Sequence, residues 1–149
     1  FKILDHSAIY VLIAGSYTPF LWIALRYSSG LAASAMIWLL AAVGIVWQCF
    51  NVHKFHIVST LCYVAMGWIS VLFLPQLMHS LSWNAMLWLI IGGLSYTIGT
   101  VFYLWKRLPF QHAIWHLFVL AGSAAHFTAY IILFFLWQKH NTVCCHFFK

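Results

Sequence analysis

The chain contains an uncharged apolar stretch, LAASAMIWLLAAVGIVWQCFN, that runs from Leu31 to Asn51. A bilayer core about 30 Å thick is crossed by roughly 20 apolar residues in a helix. Four further apolar stretches have about that length or more, at residues 7–25, 55–74, 85–105 and 112–137. None alternates like a barrel strand, and backbone groups in lipid must be hydrogen-bonded within the segment. The sequence therefore predicts an all-α integral membrane protein with five transmembrane helices in one domain, residues 1–137, and an extramembrane tail, residues 138–149.

The composition excludes the other broad classes of protein. Of 149 residues, 65% are hydrophobic and 5% are charged, with seven Lys or Arg and a single acid, Asp5. A soluble domain has about 25% charged residues, and eight charges cannot cover its surface. An aromatic content of 19% is the opposite of a disordered composition. There is no basic arm for nucleic acid, so we expect membrane lipids as partners and attribute the net charge of +6 to membrane orientation.

The basic residues predict the orientation, because cytoplasmic loops carry an excess of Lys and Arg. Between the predicted spans they divide into two groups. One side holds Lys2, Lys54, Lys106 and Arg107, and the other holds Arg26, Lys139 and Lys149. The joint at residues 75–84 has no basic residue and lies on the second side. We therefore expect Phe1 in the cytoplasm and Lys149 outside, in an inner (plasma) membrane.

The only acid and a pair of histidines are predicted to lie at the same depth. Asp5 precedes the first span, and His112 and His116 stand in the first turns of the fifth. The chain crosses the membrane four times between Asp5 and His112, and an even number of crossings returns it to the same face. The topology therefore allows Asp5 to meet the two imidazoles.

The spacing of His112 and His116 is typical of a metal-binding pair. Residues at i and i+4 project from one helix face about 6 Å apart, and two imidazoles so placed can share a zinc ion. Metalloprotease helices carry Glu beside the first His, whereas position 113 is Ala. The alternative is that the pair caps backbone carbonyls or lies at the membrane interface. A catalytic zinc has three protein ligands. His6 points about 100° away from Asp5 on an ideal helix, so the third ligand is missing or lies on a helix that this chain lacks.

His126 is excluded from the same metal site by distance. It lies about 40° from the face of His112 but roughly 21 Å deeper along the helix. We expect it to be a core histidine bonded to a Tyr or Ser hydroxyl.

Three blocks of sequence resemble the hemolysin III family, which belongs to the wider superfamily of progestin and adiponectin receptors and has the alkaline ceramidases as distant relatives. They are DHSAIYVLIAGSYTPF at residues 5–20, GGLSYTIGTVFY at residues 92–103 and HAIWHLFVLAGSAAHF at residues 112–127. The resemblance implies a seven-helix bundle with a cytoplasmic amino terminus, of which this chain would be helices three to seven. It also implies a zinc ion held by a His on the second helix and by His112 and His116, with Asp5 near the zinc through water.

Three classes of function follow from these features. Zinc generates a nucleophile from water at neutral pH, and Asp5 is the only carboxylate that could accept the proton. The first class is therefore a zinc-dependent hydrolase of lipid amides, such as a ceramide-like substrate. The second is a pore-forming cytolysin, as the family's name suggests. The third is a receptor or sensor of membrane state in which the zinc is structural.

Overall fold

The computed structural model describes residues 2–25, 30–51 and 56–147, with side chains at 3–25, 30–50 and 58–139. The described residues form α-helices and one 3-10 segment, with no strand among them, which confirms the all-α prediction. The helices are α1 (Lys2–Ala24), α2 (Gly30–Asn51), α3 (His56–Trp68), α4 (Leu74–Ser80), α5 (Trp83–Leu104) and α6 (Gln111–Phe147), and the 3-10 segment is Ile69–Phe73.

Five helical segments are long and apolar enough to cross a membrane, as the sequence predicted. The third joins α3, the 3-10 segment and α4, and the fifth is the first part of α6. Large apolar side chains are exposed along them, as expected for surfaces that face lipid. The segments are Ile3–Ala24, Gly30–Phe50, Val58–Ser80, Trp83–Leu104 and Gln111–Lys139.

The third span is longer than predicted. The sequence predicted a loop from Pro75 to Asn84, but the chain stays helical to Ser80, and only residues 81–82 separate α4 from α5. Pro75 lies in the first turn of α4, where its missing N–H removes no helical hydrogen bond. The proline therefore lies at the start of α4, inside the third span, whereas the predicted span ended at residue 74.

A tyrosine from α1 stabilises the 3-10 segment within this span. The Tyr17 hydroxyl accepts a hydrogen bond from the backbone N–H of Ser70 at 2.7 Å and lies within donor distance of the carbonyls of Met66 and Gly67. A 3-10 segment leaves backbone groups without their α-helical partners, and lipid offers none. Tyr17 supplies those partners from the neighbouring helix.

The helices pack most extensively as the pairs α1 with α2 and α5 with α6. Glycines permit the close approach of α5 and α6, because a side chain at Gly92 would overlap His126 and one at Gly99 would lie 2.6 Å from Cβ of Phe118. Nothing lies within 4 Å of a Cβ placed at Gly93, so this neighbouring glycine faces away from the interface. The α5–α6 pair fixes the start of α6, on which the predicted histidine pair lies.

The predictions about the tail and the orientation stay predictions. α6 continues as a helix to Phe147, beyond the predicted span end at residue 137, and the segment suited to the membrane ends at Lys139. Of the basic residues that set the predicted orientation, Arg26, Lys54 and Lys149 lie outside the described residues.

Candidate metal centre

Asp5, His112 and His116 lie together at one end of the helices. Asp5 is in the first turn of α1, and the two histidines are in the first turns of α6. Asp5 Oδ2 is 3.6 Å from Nε2 of His112, and Asp5 Oδ1 is 3.7 Å from Nε2 of His116. The two Nε2 atoms are 3.0 Å apart. The structure therefore brings together the three residues that the topology predicted to share one depth.

The donor set fits a small divalent cation. Each of the three residues offers one ligand atom, and these atoms lie within 4.8 Å of one another. Around a tetrahedral zinc with ligands at about 2.0–2.2 Å, neighbouring ligand atoms are about 3.3 Å apart. The two Nε2 atoms are 3.0 Å apart, and they lie 3.6 and 3.7 Å from the two carboxylate oxygens of Asp5, so the observed separations bracket that value. Two imidazoles and one carboxylate also match the nitrogen and oxygen chemistry that zinc accepts.

The site is open on one side. The side chains of His112 and His116 are 54% and 46% exposed, and that of Asp5 is 29% exposed. A metal held here would keep at least one coordination position that no described residue fills.

The backbone turn before α6 fixes the direction of the histidine pair. Phe110 has a φ of 58°, in the left-handed region that a bulky residue seldom adopts. Its carbonyl accepts a hydrogen bond from the N–H of Ile114 at 3.0 Å, which begins the helical bonding of α6. Because α6 begins directly after this turn, His112 faces back toward α1.

His6 lies beside the site, contrary to the sequence prediction. The ideal-helix offset suggested that His6 and Asp5 could not both face the interior. However, α1 is surrounded by α2, α3, α4 and α6, so it has interior on several sides. His6 is only 3% exposed, with Nδ1 3.8 Å from Oδ2 of Asp5 and Nε2 3.1 Å from the hydroxyl of Tyr103. The feature of the sequence that could have predicted this contact is that His6 directly follows Asp5, the only acid of an apolar chain.

His126 is not part of this cluster, as predicted, but its partner differs from the prediction. Its Nε2 is 3.3 Å from the carbonyl of Leu89, and its ring lies edge-on to Tyr96. The Tyr96 hydroxyl bonds instead to Ser123 at 2.8 Å. A backbone carbonyl of α5 therefore takes the place of the expected hydroxyl, because Gly92 leaves room for the ring against that helix.

These features define a class of protein: an all-helical membrane protein in which the first and last described helices bring one acid and two histidines together. A family model described as Haemolysin-III related matches residues 1–127. The chain belongs to the hemolysin III family, which confirms the resemblance of its three sequence blocks.

The relatives include bacterial and animal proteins. Hemolysin-3 of Bacillus cereus is 50% identical over 136 residues, covering 91% of this chain and 61% of that protein. The Hemolysin-3 homolog of Bacillus subtilis (strain 168) is 48% identical over 134 residues, covering 90% and 62%. Monocyte to macrophage differentiation factor of Homo sapiens is 36% identical over 132 residues, covering 87% and 53%. The chain thus spans about three fifths of the length of the bacterial relatives it matches, and no solved structure gives a significant match.

Proposed function

We propose that this chain forms the reaction centre of a zinc-dependent hydrolase of lipid amides, with the metal held by His112 and His116 and with Asp5 as the general base. The observation that carries the proposal is the convergence of the only acid in the chain with an i, i+4 histidine pair from the far end of the sequence. Ionisable groups are costly within a membrane span and are functional by default. Membership of the hemolysin III family supports a common role with its relatives.

The three side chains have separate tasks in this proposal. His112 and His116 offer neutral imidazole nitrogens to the zinc ion, which when bound lowers the pKa of water toward about 7 and polarises a carbonyl. The Asp5 carboxylate accepts a proton from the attacking water, within the reach set by its 3.6 and 3.7 Å distances to the imidazoles. It then returns that proton to the leaving amine, so that cleavage of the amide yields a fatty acid and an amine.

The location of the site supports a lipid as the substrate. The donor residues stand in the first turns of two apolar helices, so the site is near one end of the spans and beside surfaces that suit acyl chains. The amide linkage of a ceramide-like lipid lies at such a depth, between its polar head and its acyl chains. We propose the cytoplasmic face of the plasma membrane as this end, following the distribution of Lys and Arg.

Two other functions are consistent with membership of the hemolysin III family. A zinc ion with a purely structural role would tie α6 to α1 in a receptor or sensor of membrane state. A pore-forming cytolysin is suggested by the name of the bacterial relatives, Hemolysin-3.

The test is metal analysis and amide hydrolysis on the purified full chain, its double variant His112→Ala, His116→Ala and the control His79→Ala. His79 is an exposed histidine on α4 outside the donor cluster. We expect about one zinc per chain in the wild type and in the control, with none in the double variant. Fatty-acid release from ceramide should follow the zinc content.

The outcomes separate the three functions. Equal zinc in the wild type and the double variant would remove the proposed metal centre. Zinc without fatty-acid release would favour the structural role. Dye leakage from liposomes that is the same for wild type and double variant would favour the cytolysin.

A further inference from the structure

A polar layer lies beside Asp5 and reaches the histidine pair at Tyr103, whose ring centroid is 6.2 Å from that of His112. His6 is 3% exposed and Tyr63 is 6% exposed. With Asp5, Thr60 and Tyr103 they line a partly enclosed cavity of about 10 Å³, of which Trp115 forms another wall. The Tyr63 hydroxyl is buried and has no hydrogen-bond partner within the part of the chain that the structure describes. Five polar side chains line this small space, three of them buried, and burial of polar groups is unfavourable unless they are hydrogen-bonded, which points to a function.

His6 connects the two ends of this layer. Its Nε2 is 3.1 Å from the hydroxyl of Tyr103, and its Nδ1 faces Asp5 Oδ2 at 3.8 Å. When the Tyr103 O–H donates to Nε2, the proton of the neutral ring is on Nδ1 and points toward the carboxylate. The contact with Asp5 is electrostatic at this distance, because a hydrogen bond would be shorter. In that arrangement Tyr103 selects the tautomer whose N–H points toward Asp5.

The carboxylate of Asp5 requires such a support. It is partly exposed and stands in the first turn of a helix, and Oδ2 is shared between His6 on one side and His112 on the other. Rotation of the carboxylate would remove both oxygens from the histidine pair. Neighbouring groups that orient the ligands of metal sites affect metal affinity by about 10- to 100-fold.

We propose that His6 is a positioning residue, which is fixed by Tyr103 and in turn orients the Asp5 carboxylate toward His112 and His116. This inference rests on the proposed metal centre. It assigns no contact with substrate to His6, which acts through Asp5 alone.

The test compares substitutions within this layer with a control substitution that removes a similar hydroxyl group elsewhere in the protein. His6→Phe keeps a ring and removes both nitrogens, and His6→Asn restores an N–H near the position of Nδ1. Tyr103→Phe removes the hydroxyl that fixes the ring. The control is Tyr96→Phe, which removes another α5 hydroxyl bonded across to a neighbouring helix, at Ser123, away from Asp5.

The readouts are zinc affinity, from competition with a chelator, and the visible absorption spectrum of the protein loaded with Co²⁺. We expect His6→Phe to weaken zinc binding by about 10- to 100-fold and to shift the Co²⁺ bands. Tyr103→Phe should change both in the same direction by less, and His6→Asn should recover part of the loss. The control should match the wild type in both.

The following outcomes would overturn the inference. If folded His6→Phe has the affinity and spectrum of the wild type, His6 does not position Asp5, and the proposed function stands. An equal loss in the Tyr96→Phe control would show general destabilisation in place of positioning. If His6→Phe does not fold, Tyr103→Phe decides by the same two readouts. A wild type that binds no metal overturns both this inference and the proposed function.

Discussion

Two adjacent glycines on α5 provide a sharp test of the helix packing that supports the site. A Cβ at Gly92 would overlap the ring of His126 and lie 3.1 Å from the carbonyl of Gly122, whereas nothing lies within 4 Å of one at Gly93. Replacement of Gly by Ala in a helix stabilises it by about 1 kcal/mol, and overpacking costs about 1–3 kcal/mol. Gly93→Ala should therefore stabilise the protein by about 1 kcal/mol, and Gly92→Ala should destabilise it by up to about 2 kcal/mol.

The difference between these two variants isolates the packing energy, because the helix-propensity contribution is common to both. We expect Gly92→Ala to be less stable than Gly93→Ala by about 1–3 kcal/mol. The measurement is unfolding of the full chain in detergent micelles by a denaturing detergent, followed by circular dichroism. Equal stability of the two variants would refute the close approach of α5 and α6 at Gly92.

Three further predictions concern the 3-10 segment and the metal centre. Tyr17→Phe should destabilise the protein by about 1–2 kcal/mol in the same unfolding assay, because the Ser70 N–H loses its partner in lipid; an unchanged midpoint would contradict this. Asp5→Asn should weaken zinc binding at least as much as His6→Phe does and, at saturating zinc, lower fatty-acid release by about 10²–10⁴-fold, because the amide cannot accept the proton; wild-type zinc affinity and release in this variant would contradict both expectations. Removal of the zinc by a chelator should lower the stability of the protein in the same unfolding assay, because the metal would link α6 to α1; a midpoint that the chelator leaves unchanged would contradict this.

The spans and the depth of the site could be predicted from the sequence because both depend on length and on the parity of crossings. Five apolar stretches locate the helices, and an even number of spans returns His112 to the face of Asp5. The third span was underestimated because the predicted apolar stretch ended at residue 74, whereas Pro75 stands in the first turn of α4 and the helix continues to Ser80.

The directions of side chains could not be predicted in the same way. In a soluble protein, the apolar stripe of a helix identifies its buried face. In lipid both faces are apolar, so periodicity does not distinguish them. His6 is buried because four other helices surround α1, and that arrangement depends on contacts distant in sequence. The histidine pair was identifiable only because its spacing is local.

The donor set joins the first described helix of the chain to the last, which bears on the biogenesis of the protein. Chains are synthesised from the amino terminus, so α1 enters the membrane well before α6. During that interval Asp5 and His6 are present without the imidazoles of α6. A nascent chain acquires the full donor set only when the last helix has inserted and docked against the first. Metal loading would therefore report completed assembly, and truncated or misinserted chains would be distinguishable by its absence.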